Sequence, residues 1–297
     1  MSSIQVRRFA RIDREQVTAL VNAHVGAVVP NVSVSVQGLM SQLEREPGEF
    51  IVDPWVAERI TLIAIERERV VAAAHLLRYG DDDRVALDYR GAGEIRWLVF
   101  WPDAPQAGQE LAVACLSQLE RWGVRRCYAD GSLPAPGVYG VPEQWPHIRA
   151  VYEGVGFCHD DPAELVFVAR IQDVPRPNRP IAGLTNRRTL GINGTRISAV
   201  LGTDVLGYIE VDTNLDSGFR TARFGTWADI GNLHIEEKHR RQGIGRWLLG
   251  QAAEWLDLGG VSRLLSYADS TEDAYQAFLA SSGFRVLTRT LRGMAKK

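Results

Sequence analysis

The sequence is poor in cysteine. Its three cysteines, Cys115, Cys127 and Cys158, are odd in number and do not have the spacing of metal ligands. A disulfide framework and a zinc site are therefore both disfavoured, and no metal is expected. This cysteine content fits a reducing cytoplasm.

Long apolar runs and an excess of one charge are also missing. The first residues, MSSIQVRRFARIDREQ, contain no apolar stretch of signal-peptide type, and no segment approaches the ~20 apolar residues of a membrane span. The formal net charge is −2 at pH 7, whereas proteins that neutralise many nucleic-acid phosphates usually carry a strongly basic surface. We therefore expect a soluble cytoplasmic protein that binds neither membrane nor nucleic acid.

What the chain does contain is enough apolar material for two cores. It has 297 residues, of which 45% are hydrophobic and 24% charged, and domains usually span about 100–200 residues. The segment from Ile171 to Pro180 carries three prolines among polar residues, a composition that stiffens an extended connection. We predict a first domain over residues 1–170, a linker over 171–184 and a second domain over 185–297.

The two halves share a predicted order of elements: β-rich runs, a strand that leads into a helix, a short strand, and a helix that closes on Gly-Phe. The closing runs are VYEGVGF, which ends at Phe157, and FLASSGF, which ends at Phe284. A glycine favours the left-handed conformation that ends a helix, although a helix followed by Gly-Phe is also common in general. The recurrence predicts an internal duplication.

The most informative stretch runs from Asp229 to Leu256, where a predicted strand leads through a basic turn into an amphipathic helix. Gly243 and Gly245 lie where this helix begins, and the unpaired N–H groups of a helix start attract phosphate. Positive charge is added by Arg240, Arg241 and Arg246. The expected buried face of the helix comprises Leu248, Leu249, Ala252, Trp255 and Leu256. A tight strand-to-helix turn also needs glycine, so these residues alone leave an anion site and a structural turn open.

The run from Arg240 to Gly245, RRQGIG, resembles the Q/R-x-x-G-x-G/A signature of the GNAT superfamily of N-acetyltransferases. With the preceding strand, the following helix and the later helix that closes on Gly-Phe, the resemblance covers residues 196–291. The duplicated arrangement is similar to that of mycothiol synthase. The implied fold class is α/β (α+β), with two tandem GNAT-like domains, each a mixed, mostly antiparallel central sheet flanked by helices.

The resemblance implies that the second domain binds acetyl-CoA as the acyl donor. The pyrophosphate would bind to the backbone amides of residues 242–246. The pantetheine arm would pair with the strand backbone at Leu233 and Ile235, where a bulge opens the strand away from its neighbour. The implied cofactor-binding residues are Leu233, His234, Ile235, Arg240, Arg241, Gln242, Gly243, Ile244, Gly245 and Arg246.

Transfer to an amine requires a base, because an amine attacks a thioester only when it is unprotonated. Asp229 is the first candidate, since many family members carry an acid at this strand position, and His234 is the second. The departing thiolate takes its proton, in many members, from a tyrosine four residues before the helix-ending glycine, but Leu279 occupies that position here. Tyr275, one helical turn earlier, is the candidate acid. Each candidate also has a structural interpretation, as a surface acid, a solvent-facing histidine and a packed aromatic residue.

The first half carries the same pattern with different changes. Glu94 stands where Asp229 stands in the second half, and Gly108 stands opposite Gly243. The phosphate turn is degenerate, because Glu110 replaces a small residue and its carboxylate would repel pyrophosphate. Tyr152 occupies the place of the family's acid. We therefore predict that coenzyme A binds to the second domain.

The leading expectation is an enzyme that transfers an acetyl or short acyl group from coenzyme A to a primary amine of a small-molecule acceptor, as a monomer or homodimer. An acyl-CoA sensor or regulatory module is the alternative, because Leu279 replaces the usual tyrosine, and a purely structural repeat is a third hypothesis. The acceptor's identity is not fixed by the sequence. The segment from Ala23 to Met40 and the loop from Ser132 to Pro146, with Tyr139 and Trp145, are expected to help form its pocket.

Overall fold

The computed structural model describes residues 3–44, 55–132, 138–213 and 226–296. Within these ranges the chain forms two compact units: unit 1 comprises residues 3–163 and 288–296, and unit 2 comprises residues 164–287. The expected α/β fold with two mostly antiparallel sheets and flanking helices is confirmed. None of the helices in the described ranges combines the length and the apolar character needed to cross a membrane.

Unit 1 is built on a sheet with the strand order β1-β2-β3-β4-β5-β15-β7. The strands of this sheet are β1 (Gln5–Arg8), β2 (Val56–Glu66), β3 (Arg69–Tyr79), β4 (Gly93–Phe100), β5 (Cys127–Ala129), β7 (Phe157–Cys158) and β15 (Met294–Lys296), and the short strand β6 (Val141–Pro142) of unit 1 is not part of it. Its described helices are α1 (Arg14–Val28), α2 (Val36–Leu43), α3 (Pro105–Arg121) and α4 (Pro146–Gly154). Proline opens both α3 and α4, a position where its missing N–H costs nothing.

Unit 2 contains a sheet with the strand order β14-β8-β13-β12-β11-β10-β9. Its strands are β8 (Glu164–Arg170), β9 (Thr185–Gly191), β10 (Gly194–Leu201), β11 (Asp204–Asp212), β12 (Trp227–Ile235), β13 (Arg263–Asp269) and β14 (Arg285–Leu291), and its helices are α5 (Ile244–Leu258) and α6 (Asp273–Ala280). The last residues of β14 belong to unit 1, where they pair with β6. The core lies between α5 and one face of the sheet, since Ile197, Ile209, Ala228, Leu248 and Leu264 are all buried there.

The two sheets share a topology, and each takes one strand from the other half of the sequence. In unit 2, β8 lies between β13 and β14 although it directly follows the first half. In unit 1, β15 from the C-terminus lies between β5 and β7 and pairs antiparallel with both. The expected domain bounds, 1–170 and 185–297, therefore differ from the units at residues 164–170 and 288–296. Alternation along a strand does not specify which sheet the strand joins.

The proline-rich segment expected as a linker over 171–184 packs onto unit 2. Gly250 of α5 lets it approach closely, because a Cβ there would lie 3.0 Å from the carbonyl oxygen of Pro175. Ile171 and Leu184 at its two ends are buried in the core of this unit. On α5, Trp255 is 39% exposed and carries the guanidinium of Arg188 over its ring at 4.2 Å, so its expected place on the buried face is wrong. Cation–π stacking accounts for this exposed aromatic residue.

Candidate functional site

The site of unit 2 begins where β12 separates from β13. The described parallel pairing between these strands runs from Trp227 to Asp229, after which β12 continues to Ile235. On its other side, β12 shifts its register against β11 between Glu210 and Val211, which leaves Gly231 as an extra residue. An extra residue of this kind is a β-bulge, and it bends the strand. The bulge expected on this strand is therefore confirmed at Gly231.

The main-chain groups of Leu233 and Ile235 point into the opening between the strands. Glu236 donates its N–H to the carbonyl of Leu206 at 3.0 Å, so residue 236 faces β11. Because main-chain direction alternates along an antiparallel strand, His234 also faces β11, whereas Leu233 and Ile235 face away from it. The carbonyl of Ile235 accepts a hydrogen bond from Arg240 Nε at 3.0 Å.

A cleft of about 750 Å³ extends from this opening to the start of α5 and to α6. It brings together nine of the expected cofactor-binding residues, namely Leu233, His234, Ile235, Arg240, Arg241, Gly243, Ile244, Gly245 and Arg246. Its further lining residues are Ile230, Gly231, Asn232, His239, Tyr267, Glu272, Ala274, Tyr275 and Phe278. Gln242 is not part of this lining, and its side chain instead donates to the carbonyl of Lys238 at 3.2 Å.

The turn into α5 has the backbone of an anion site. Gly243 precedes the helix in a left-handed conformation with φ 82°, and Arg241 is also left-handed with φ 62°. The first N–H groups of α5 have no partner within the helix and point at the cleft with the positive end of the helix dipole. Arg246 is held by a 2.8 Å hydrogen bond from its Nη2 to Ser281 Oγ. The described charges that line the cleft are mainly positive, with Glu272 as the opposing carboxylate.

Asp229 lies at the last paired position of β12, beside the point where the strands separate. It is half-buried, and it stands directly across from Asp212 of β11 and from Leu265 of β13. Burial, and then the negative charge of Asp212, raise the pKa of Asp229 to about 7, while a hydrogen bond with Tyr267 acts in the opposite direction. A carboxyl with this pKa changes protonation near neutral pH, which suits a general base. Asp229 itself does not line the cleft, whereas Tyr267 does.

His234 lies at the outer end of the cleft. Its side chain is 44% exposed, and its Nε2 lies 3.7 Å from Glu236 Oε1. Its ring packs at a tilt against Tyr208, with 5.7 Å between the ring centroids. This placement brings it into the lining of the cleft.

Tyr275 faces the cleft from α6. Its hydroxyl lies 2.8 Å from Ser266 Oγ on β13, and its ring stacks on Phe278 with 6.0 Å between centroids. Burial raises the pKa of Tyr275, and the hydrogen bond with Ser266 lowers it in part. Leu279, at the family's usual tyrosine position, is fully buried in the core. The candidate phenol is therefore that of Tyr275, one helical turn before the position where the family usually has its tyrosine.

Sequence reasoning missed three residues of this site. Ser266 and Tyr267 are neighbours on β13, so their side chains point to opposite faces of the sheet. Ser266 meets Tyr275 on one face, and Tyr267 meets Asp229 on the other. Phe278 adds an apolar wall. No sequence motif marks these positions. The alternation of side chains along β13 after Leu264 indicates the face of the sheet on which Ser266 and Tyr267 lie, but not their partners.

Unit 1 repeats the backbone of this site. The parallel pairing of β4 with β5 runs from Gly93 to Ile95, and a register shift against β3 leaves Arg96 as the extra residue, as Gly231 is in unit 2. Glu94 occupies the place of Asp229 but is buried. Burial raises its pKa, and it accepts hydrogen bonds from Tyr79 and, at 3.4 Å, from Arg96 Nη1. The duplication therefore includes the bulge itself.

The slot for a cofactor in unit 1 is filled by side chains. A Cβ on Gly108 would lie 2.6 Å from the ring of Phe100, which also meets His147 edge-on at 4.9 Å between centroids. Gly243 directly precedes α5, whereas α3 begins at Pro105, so the expected alignment of Gly108 with Gly243 is wrong and Glu110 lies in the second turn of α3, where it accepts a hydrogen bond from Gln106 at 2.9 Å. Tyr152 is fully buried and donates to the carbonyl of Asp130 at 3.0 Å. The expected assignment of the cofactor to the second half stays a prediction.

The segments expected to help form the acceptor pocket lie in unit 1. The segment from Ala23 to Met40 forms the end of α1 and most of α2. In the loop from Ser132 to Pro146, residues 133–137 lie outside the described residues. Trp145 is 2% exposed and donates its Nε1–H to the carbonyl of His24 at 3.2 Å, so this residue packs inside unit 1.

Comparison with known proteins finds one matching family and several structures of similar fold. Residues 158–284 match the model of the Acetyltransferase (GNAT) family. A tandem GNAT protein from the clavulanic acid biosynthesis pathway superimposes with a TM-score of 0.65 and 15% identity, over 99% of this chain and 97% of that one. A GCN5-related N-acetyltransferase from Sphaerobacter thermophilus gives 0.63 and 13% identity, over 99% and 95%.

A third structure is much longer than this chain. It contains the glucosamine N-acetyltransferase region of a fungal multi-domain GH3 β-N-acetylglucosaminidase, with a TM-score of 0.67 and 15% identity. The match covers 100% of this chain and 38% of that protein. A search of curated protein sequences found no match. At these identities the structural likeness establishes the fold, including its tandem arrangement.

Proposed function

We propose that this chain, which carries a domain of the GNAT family of acetyltransferases in a tandem GNAT arrangement, transfers an acetyl or short acyl group from acetyl-CoA to a primary amine. The reaction would take place in unit 2. The observation that carries the proposal is the cleft, where a helix start, the free edge of a separated strand and a phenol meet.

The residues of the cleft fit the parts of coenzyme A. The amides at the start of α5, with Arg240, Arg241 and Arg246 around them, would hold the pyrophosphate. The main-chain groups of Leu233 and the N–H of Ile235 would pair with the amides of the pantetheine arm. A Cβ on Gly245 would lie no closer than 3.7 Å to any neighbour, so packing of the protein alone does not require glycine there. The absence of a side chain at residue 245 would leave room for a ligand.

Asp229 and Tyr275 have the protonation states that this reaction needs. When bound, acetyl-CoA supplies a thioester carbonyl that an unprotonated amine can attack. Asp229, with a pKa of about 7, accepts the proton that the amine loses. Tyr275, whose pKa is raised by burial, keeps its proton until the C–S bond breaks and then gives it to the leaving sulfur. The exchange leaves an amide, a free thiol, a protonated Asp229 and a tyrosinate that solvent reprotonates.

The amine would approach from the sheet face that carries Tyr208, Asn232 and His234. Asn232 donates to the Tyr208 hydroxyl at 3.1 Å, so this face offers polar groups beside the cleft. In unit 1 the helices α1 and α2 lie between β1 and β2, whereas in unit 2 β9 and β10 are separated by two residues. Unit 2 has therefore no counterpart of those helices over this face in its described residues.

The test is release of free thiol from acetyl-CoA in the presence of a panel of primary amines. We expect thiol release that depends on the amine, and that falls in Asp229→Asn and in Tyr275→Phe. Asp204→Asn, at an exposed position of β11, is the matched control for a lost carboxylate. Acetyl-CoA binding without thiol release for any amine would favour the sensor hypothesis, which the leucine at position 279 keeps open. Absence of binding would exclude both.

A further inference from the structure

Two residues beside Asp229 extend the proposed site. We propose that Asp212 and Tyr267 are positioning residues of the base Asp229, which set its protonation from the two neighbouring strands. This inference rests on the proposed function, because it concerns the protonation of the same carboxyl.

The sheet brings these three side chains to one face. Asp212 and Asp229 are directly opposite each other on antiparallel β11 and β12, where facing Cβ atoms are about 5 Å apart. Asp229 is also the partner of Leu265 on β13, and Tyr267 is two residues further along that strand. Positions two apart share a face of a sheet. Tyr267 thus lies beside Asp229 at the point where β12 and β13 separate.

Tyr267 is the member of this group that reaches the cleft. It lines the cleft, whereas Asp229 and Asp212 do not. Its hydroxyl oxygen is shielded from solvent and lies near enough to the Asp229 carboxyl to lower the pKa of that group. The Tyr267 side chain therefore lies between the Asp229 carboxyl and the wall of the cleft.

Asp212 acts on Asp229 through its charge. Of the described residues, Asp212 from β11 and Tyr267 from β13 are the titratable groups that act on the Asp229 carboxyl, besides its burial. They act in opposite directions, since the charge of Asp212 raises the pKa of Asp229 and the hydrogen bond of Tyr267 lowers it. Like charges directly across a sheet are unfavourable, so the pair needs a reason to be there. A base that changes protonation near neutral pH is such a reason.

This arrangement places the two proton transfers on opposite faces of β13. Tyr267 serves the base on one face of β13, while its neighbour Ser266 holds the Tyr275 hydroxyl on the other. The amine and the leaving sulfur are then served from opposite sides of the opening.

The experiment compares the pH dependence of kcat/KM for Asp212→Asn and Tyr267→Phe. Asp212→Asn should move the acidic limb of the profile to lower pH, by about one unit. Tyr267→Phe should move it to higher pH, because the hydroxyl that lowers the pKa of Asp229 is lost. Asp204→Asn and Tyr128→Phe, an aspartate and a tyrosine outside this group, are the matched controls and should leave the limb in place.

A second measurement does not depend on turnover. The Asp229 carboxyl is titrated directly by NMR in protein that carries ¹³C-labelled aspartate, with Asp229→Asn used to assign its signal. We expect the same two opposite shifts in the free protein. Equal or parallel shifts in the two variants would overturn the proposal. Opposite shifts of the carboxyl without matching shifts in kcat/KM would keep the coupling and would remove Asp229 as the base, which is a failure of the proposed mechanism instead.

Discussion

A carboxyl kept protonated by burial should make unit 2 less stable at high pH, and Asp229→Asn should remove that effect. The pKa of Asp229 is raised from 3.8 to about 7. Protonation is therefore favoured in the folded state, so the contribution of this group to stability is complete below its unfolded pKa. It is lost as pH rises from 3.8 to about 7. Asparagine carries no charge at any pH and should not show this loss.

The magnitude follows from the difference between the two pKa values. A difference of about 3 units at about 1.4 kcal/mol per unit corresponds to about 4 kcal/mol. The free energy of unfolding of Asp229→Asn, relative to the wild type, should therefore increase by about that amount between about pH 4 and about pH 9. The increase should occur mainly between 3.8 and 7, where the folded and unfolded chains bind different numbers of protons.

The assay is urea unfolding followed by tryptophan fluorescence at several pH values. Trp227 and Trp247 are buried in unit 2 and report on its unfolding. Asp204→Asn controls for the loss of a carboxylate elsewhere on the same sheet and should follow the wild type. Parallel curves of stability against pH for Asp229→Asn and the wild type would show that the carboxyl is not held protonated, and would refute the reasoning.

Three further predictions concern the helix start, the acid and the exchanged strand. Tyr275→Phe should lower kcat by about 100-fold or more and leave the Kd for acetyl-CoA unchanged; an equal loss of binding would mean that the phenol is a binding group. Gly243→Ala should cost about 1–2 kcal/mol in urea unfolding, because residue 243 has φ 82°; no loss would mean that the turn relaxes. Met294 is fully buried on β15. Met294→Leu should leave unit 1 folded, whereas Met294→Asp should abolish hydrogen-exchange protection along β5. Retained protection would place β15 outside the core of unit 1.

The local structure around the site was largely predictable from the sequence. Periodicity and glycine positions predict the strand that contains Asp229, the helix that follows the basic turn, and the closing helix. The structure has these elements as β12, α5 and α6. The turn was recognisable because phosphate binding at a helix start needs glycine and positive charge close together in the sequence. Those requirements are local, so a single sequence carries them.

The non-local features were not predictable in the same way. The exchange of β8 and β15 depends on which sheet edge each strand meets, and alternation does not encode that choice. The pairing of Asp212 with Asp229 depends on a register set by the bulge at Gly231. Tyr267 was missed for the same reason, because its role depends on the neighbour across the sheet. Trp255 was wrongly expected on the buried face of α5, because its ring is covered at the surface by the guanidinium of Arg188.

The central claim is that acetyl-CoA binds at the start of α5 in unit 2, and calorimetric titration tests it most directly. Acetyl-CoA is titrated into the wild type, Gly245→Ala and Gly245→Glu. The alanine variant is the matched control for folding, since a Cβ at this position meets nothing closer than 3.7 Å. We expect binding by the wild type and loss of binding in Gly245→Glu, whose carboxylate would repel the pyrophosphate. Binding of equal affinity by the wild type and a folded Gly245→Glu protein would contradict the claim.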